Sequence, residues 1–117
     1  MPSLADENVI LNKKGDAPLV PEDMKSMLAQ VPDWCVIQDA GIDRLVREFR
    51  FSDYLKVIDL AHKIGCMGEQ VNHHPDMHVT WGKVTVTWWT HVTGGLNRND
   101  FIMAARCDRV ALLISAP

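Results

Sequence analysis

"EQVNHHPDMHVTWGKVTVTWWTH" spans residues 69–91 and holds four of the chain's five histidines. Its reading decides the fold, because the hydrophobic period changes inside it. Helical spacing enters from the N-terminal side, Pro75 interrupts it, and alternation follows. A residue before proline is pushed out of the α region, so His74 cannot comfortably continue a helix. The helix is expected to end near Asn72 or His73, and the histidine pair then sits where helix hands over to strand. Residues 77–81 and 84–91 read as two strands with a turn at Gly82-Lys83. In the second strand Val84, Val86 and Trp88 point one way, and Thr85, Thr87, Trp89 and His91 the other.

Upstream, Ser52 suits an N-cap with Asp53 in the first turn. Val57, Leu60, Ile64, Met67 and Val71 then form one helical stripe. Tyr54, Ile58, Ala61, Gly65 and Gly68 form a second, whose small residues allow another backbone close; this flank is expected to serve a partner subunit. Glu69 lies four residues before His73 on the same helical face and can reach it or a ligand beside it. Residues 34–38 and 42–51 read as a hairpin around the loop Asp39-Ala40-Gly41. Leu45, Phe49 and Phe51 mark its packed side, although Arg47 lies among them. A first helix begins near Pro21 and ends before Pro32. Downstream, Asn97 with Asp100 resembles a capping box for a last helix over 98–114, with Met103, Cys107, Val110 and Ile114 on one stripe. The order is α-β-β-α-β-β-α. The fold class is α+β: a four-stranded antiparallel sheet with helices packed on one face. Residues 1–19 read as an N-terminal tail or extension and 20–117 as one domain.

At 117 residues, with 47% hydrophobic and 23% charged residues, one soluble core is expected. No apolar run approaches the roughly 20 residues that span a bilayer, and no secretory signal is read at the N-terminus. A net charge of −3 argues against nucleic-acid binding. Cys35, Cys66 and Cys107 form no C-x-x-C, fit a reducing compartment and read as small buried apolar residues.

Strand pairing can bring His91 to the same end of the sheet as His73 and His74. Three chemistries suit such imidazoles. Zinc is disfavoured, because Pro75 breaks the helical spacing between His74 and His78 and no H-E-x-x-H occurs. A structural role in capping or loops suits His62 and His78. Acid/base catalysis is the third: imidazole titrates near pH 6.5, so one ring can donate while its neighbour accepts. Trp81, Trp88 and Trp89 could stack on a flat ring, with sheet packing favoured for Trp88.

Together, Trp34, "REFRF" (47–51), "E-x-x-x-H-H-P" (69–75), "TH" (90–91), "GGL-x-x-x-D" (94–100) and "AARCD" (104–108) resemble the pterin-4a-carbinolamine dehydratase family, also called the dimerization cofactor family. The resemblance covers the chain from about residue 21 onward. It implies an α+β fold with a four-stranded antiparallel sheet, assembled as a homodimer or homotetramer. It also implies dehydration of a 4a-hydroxytetrahydropterin to quinonoid dihydropterin and water, recycling pterin for aromatic amino acid hydroxylases, with no cofactor and no metal. The catalytic histidines fall on His73, His74 and His91, and the substrate-binding residues on Glu69, Asn72, Thr90 and Asp100. In the expected roles His74 is the base, His73 and His91 supply or hold the acid, and Glu69 orients His73 or receives a pterin amine. Met77, Thr93 and Asn72 depart from residues that other members carry, and Met77 is expected to loosen the pocket wall. Relatives also act as transcriptional coactivators or assembly factors; retention of all three histidines favours the enzyme. The implied compartment is the cytoplasm, with the nucleus as the alternative.

Overall fold

The computed structural model describes residues 3–115. A single 3-10 turn (Leu4–Asp6) precedes α1 (Pro21–Leu28), β1 (Cys35–Asp39), β2 (Ile42–Arg50), α2 (Tyr54–Val71), β3 (Asp76–Thr80), β4 (Lys83–Trp88) and α3 (Arg98–Ser115). The strands form one antiparallel sheet in the order β1-β2-β4-β3. Alternation selects its packed face. Val84, Val86 and Trp88 are fully buried while Thr85 and Thr87 are half-buried, and the register sets Leu45 beside Trp88 and Phe49 beside Val84. Val57, Leu60 and Ile64 of α2 and Phe101, Met103 and Cys107 of α3 close the same core. Each such large apolar side chain contributes roughly 1.5–3 kcal/mol by leaving water.

Arg47 belongs on the packed side because it has a partner there. Its guanidinium lies 4.2 Å from the centre of the Phe49 ring and donates to Asp108 Oδ1 at 2.6 Å. Trp34 Nε1 donates to the same oxygen at 2.7 Å. Burial raises the Asp108 carboxyl above its ordinary range, against the pull of these two donors. Trp34, "REFRF" and "AARCD", three of the motif blocks, therefore meet in one hydrogen-bonded cluster.

Several local expectations shift. The cap of α2 is Asp53, which accepts from Leu55 N–H at 2.9 Å, rather than Ser52. The β3–β4 turn is Trp81-Gly82, because Lys83 already pairs with Thr80. Of the cysteines only Cys107 is buried, and burial pushes its thiol far above the usual range. Cys35 lies exposed on an edge strand and Cys66 exposed on α2, so neither packs as an apolar residue. The buried side of α3 is broader than one stripe and includes Phe101, Ile102, Ala104 and Ala111. Residues 3–12 pack along α3, with Leu4 and Ala5 buried.

The handover after α2 is built from local constraints. Asn72 adopts the left-handed conformation (φ 53°, ψ 41°) that a helix-ending turn requires and that asparagine tolerates. Its N–H donates to Glu69 O at 3.2 Å, and His73 N–H donates to Gly68 O at 3.0 Å. The chain thereby folds back over Gly68, where a Cβ would stand 2.8 Å from His73 O and 3.2 Å from Pro75 Cδ. The backbone that lies against Gly68 is the chain's own. At Gly65 the nearest atom to such a Cβ is Met77 Cε at 3.8 Å, an ordinary contact. Gly68→Ala should lower unfolding free energy by about 1–3 kcal/mol through overpacking against backbone. Gly65→Ala should raise it by up to about 1 kcal/mol through helix propensity. Urea unfolding of the two variants, expected to shift in opposite directions, checks both.

Candidate active site

A cavity of about 480 Å³ opens at the end of the sheet where α2 hands over to β3 and β4 runs out. His73, His74 and His91 all line it, with Asn72, Trp89 and Thr90. The pairing of Asp76 with Thr87 explains the convergence: residues 73–75 and 88–91 continue from neighbouring strand ends. β4 stops at Trp88, and Thr90 forms an isolated bridge with Gly95, so His91 sits in a turn rather than on a strand face.

The two adjacent histidines occupy different surroundings. The His73 side chain is 12% exposed, its ring stacked on Trp88 at 5.3 Å between centroids and 30° between planes. Its Nε2 lies 2.7 Å from Asp100 Oδ1. The His74 side chain is 56% exposed, and its Nε2 lies 2.8 Å from Glu69 Oε1. Glu69 therefore pairs with His74 and not with His73. The left-handed turn at Asn72 carries His73 inward and returns His74 toward the last turn of α2.

Asp100 is fully buried and does not line the cavity. Its Oδ2 accepts from Asn97 N–H at 3.0 Å and from Thr90 Oγ1–H at 2.8 Å. Asn97 Oδ1 accepts from Asn99 N–H at 2.9 Å, which completes a capping box at the start of α3 with aspartate in the glutamate's place. A buried carboxylate is tolerable here because fixed donors and the positive end of the helix dipole surround it. Accepting only, it makes His73 Nε2 a donor, which leaves Nδ1 as the ring nitrogen free to exchange a proton. The same reasoning at Glu69 leaves Nδ1 of His74 as an acceptor. Among the described residues His91 makes no side-chain hydrogen bond.

Asp100 faces His73 from within the core, Glu69 pairs with His74 from outside the lining, and the Thr90 hydroxyl is directed at Asp100. Of the tryptophans, only Trp89 lines the cavity; Arg44 lies 4.1 Å from its ring centre, Trp88 is in the core, and Trp81 is exposed at the hairpin tip. His62 and His78 are exposed and lie outside the lining. Met77 packs beside Gly65 rather than in the cavity wall. Thr93 is buried and its hydroxyl faces Thr90 O at 3.3 Å and Gly95 O at 2.9 Å, bracing the loop that carries His91. Among the described residues no three His, Cys, Asp or Glu side chains are grouped as metal ligands. Leu11, Asn12, Val92 and Asn99 also line the cavity and were not singled out by sequence reading. The apolar triplet Val9-Ile10-Leu11 in an otherwise polar stretch was the available signal for the first two.

Asp100→Asn should destabilise the fold by about 1–3 kcal/mol, because one acceptor oxygen becomes a donor facing donors. The variant should also lose the fixed His73 tautomer. Urea unfolding together with nitrogen chemical shifts of His73 measures both effects.

A protein-family model described as Pterin 4 alpha carbinolamine dehydratase matches residues 17–110. Among curated relatives, one from Microcystis aeruginosa is 39% identical over 110 residues, covering 94% of this chain and 95% of its own length. One from Nitrosococcus oceani is 43% identical over 96 residues, covering 81% and 85%. Both carry provisional pterin-4-alpha-carbinolamine dehydratase names. A crystal structure described as transcriptional coactivator/pterin dehydratase from Brucella melitensis shares the fold with a TM-score of 0.72 and 24% identity, over 80% of this chain and 98% of that one. The motif blocks, the antiparallel sheet with its three helices, and the match over most of the sequence agree, and the chain belongs to the pterin 4 alpha carbinolamine dehydratase family of hydro-lyases.

Proposed function

We propose that this chain dehydrates 4a-hydroxytetrahydropterins to quinonoid dihydropterin and water by proton transfer through His73, His74 and His91. In this reading it recycles pterin for aromatic amino acid hydroxylases. The observation that supports the reading is the convergence of three imidazoles on one cavity of about 480 Å³, two of them backed by carboxylates. A flat bicyclic ligand fits that volume range.

The reaction breaks the C4a–O bond as the hydroxyl takes a proton and leaves as water. N5 gives up its proton, and the electron pair of the N5–H bond forms the N5–C4a double bond. One group must donate while another accepts. His74, whose Nε2–H points to Glu69, uses its free nitrogen to take the N5 proton. His73 holds the proton for the hydroxyl, with the Asp100 carboxylate 2.7 Å away compensating the imidazolium. His91, free of side-chain partners among the described residues, serves as the second acid for a hydroxyl on the opposite ring face. Asn72 and Thr90 bound the ligand beside these rings.

Assembly as a homodimer or homotetramer belongs to the same proposal: Tyr54, Leu55 and Ile58 are exposed along one flank of α2. Among the described residues no helix is long and apolar enough to cross a membrane, and the free cysteines fit the proposed cytoplasmic setting.

A spectroscopic dehydratase assay on the purified chain tests the reading, with turnover above the spontaneous rate as the expected result. His74→Ala should cut turnover by about a hundredfold or more. Near-normal turnover in that variant removes His74 from the mechanism. Chelator-treated protein should retain full activity, and loss of activity would return attention to zinc.

A further inference from the structure

The first 16 residues lie outside the region matched by the family model, yet this segment supplies part of the cavity lining. Leu11 and Asn12 line the same cavity as the three imidazoles. Their position is set from α3. Asn99, 6% exposed, clamps the strap: its Oδ1 accepts from Ile10 N–H at 3.1 Å, and its Nδ2 donates to Ile10 O at 2.6 Å and to Asn12 Oδ1 at 3.1 Å. About two helical turns along α3 from that clamp, Arg106 donates to Ala5 O at 3.1 Å and to Glu7 O at 2.7 Å. Arg98 meets both oxygens of Glu7, at 2.6 and 2.7 Å, and holds that carboxyl below its usual range. An exposed ion pair contributes little alone. The bonds from Asn99 and Arg106 to the backbone fix the path.

Through Leu11 the strap brings aliphatic surface that the rest of the lining has little of. Apart from Leu11 and Val92, the lining side chains are imidazole, indole, hydroxyl or amide. A pterin presents two apolar ring faces and a polar pyrimidine edge, and a site must meet both. Leu11 keeps 48% of its surface exposed although the strap around it is anchored. The Nδ2 of Asn12 has only Asp16 Oδ2 at 3.5 Å, the long limit of a hydrogen bond, and so retains donor capacity.

Building on the dehydratase reading, we propose that Leu11 and Asn12 are substrate-contact residues of the pterin site, Leu11 covering a ring face and Asn12 donating to the pyrimidine edge, with Asn99 as their positioning residue. The N-terminal strap then completes a site whose proton-transfer groups all lie in the family-matched region.

The test uses the full chain with Leu11→Ala, Asn12→Ala and Asn99→Ala. Tetrahydrobiopterin binding is read by tryptophan fluorescence, dehydratase KM and kcat by absorbance, and folding by thermal melts. Leu11→Ala and Asn12→Ala should each raise Kd and KM about five- to tenfold with kcat within about twofold, the melting midpoint holding in Leu11→Ala and falling less in Asn12→Ala than in Asn99→Ala. Asn99→Ala should raise KM similarly and also lower the midpoint, because Ile10 loses both backbone partners. Wild-type Kd and KM in both strap variants would overturn the inference while leaving the dehydratase reading intact. A wild-type chain that binds tetrahydrobiopterin without turning over the carbinolamine would overturn the reaction; weaker binding by the two variants would still support the strap's role.

Discussion

One buried carboxylate joins the fold to the candidate site. Asp100 ends the capping box of α3, receives the Thr90 hydroxyl from the segment after β4, and faces His73 from the segment after α2. Removing a charge of this kind from water costs several kcal/mol unless donors replace the hydration. Three donors and a helix N-terminus supply that replacement, and the requirement runs in reverse as well. Displacing any of the three segments would strand a buried charge. The walls of the cavity are therefore held in fixed relation by the electrostatics that start the last helix.

A second constraint separates the adjacent histidines. Gly68 lets the chain fold back on α2, Asn72 accepts the left-handed turn, and Pro75 forces extension. In the extended stretch that follows, neighbouring side chains diverge. His73 goes inward onto Trp88 and Asp100, and His74 goes outward to Glu69. Acid/base chemistry needs two groups that differ, and here the difference comes from backbone geometry at a helix end rather than from residue type.

Much of this was legible from local pattern. The alternation of Val84, Val86 and Trp88 against Thr85 and Thr87 and the stripe Val57, Leu60, Ile64 correspond to the observed burial. So does the Asn97–Asp100 spacing of the capping box. Errors fell where one-residue or long-range facts decide. Ser52 and Asp53 are both good caps, and it is the Asp53 carboxylate that accepts from Leu55 N–H. Cysteine burial followed element position, which put Cys35 on an edge strand and Cys66 on an exposed helix flank. The sequence distance of Glu69 from His73 suggested an i, i+4 pair, but the helix ends before His73, so that spacing no longer applies.

By itself the sequence determined the element order and the packed faces of β4 and α2, because these depend on periodicity within a few positions. Tertiary structure alone decided that Asp100, 27 residues from His73, would orient it, and that Asn99 would clamp Ile10 from 89 residues away. Such pairings depend on how strand ends and helix starts meet in space, and no short-range period encodes them.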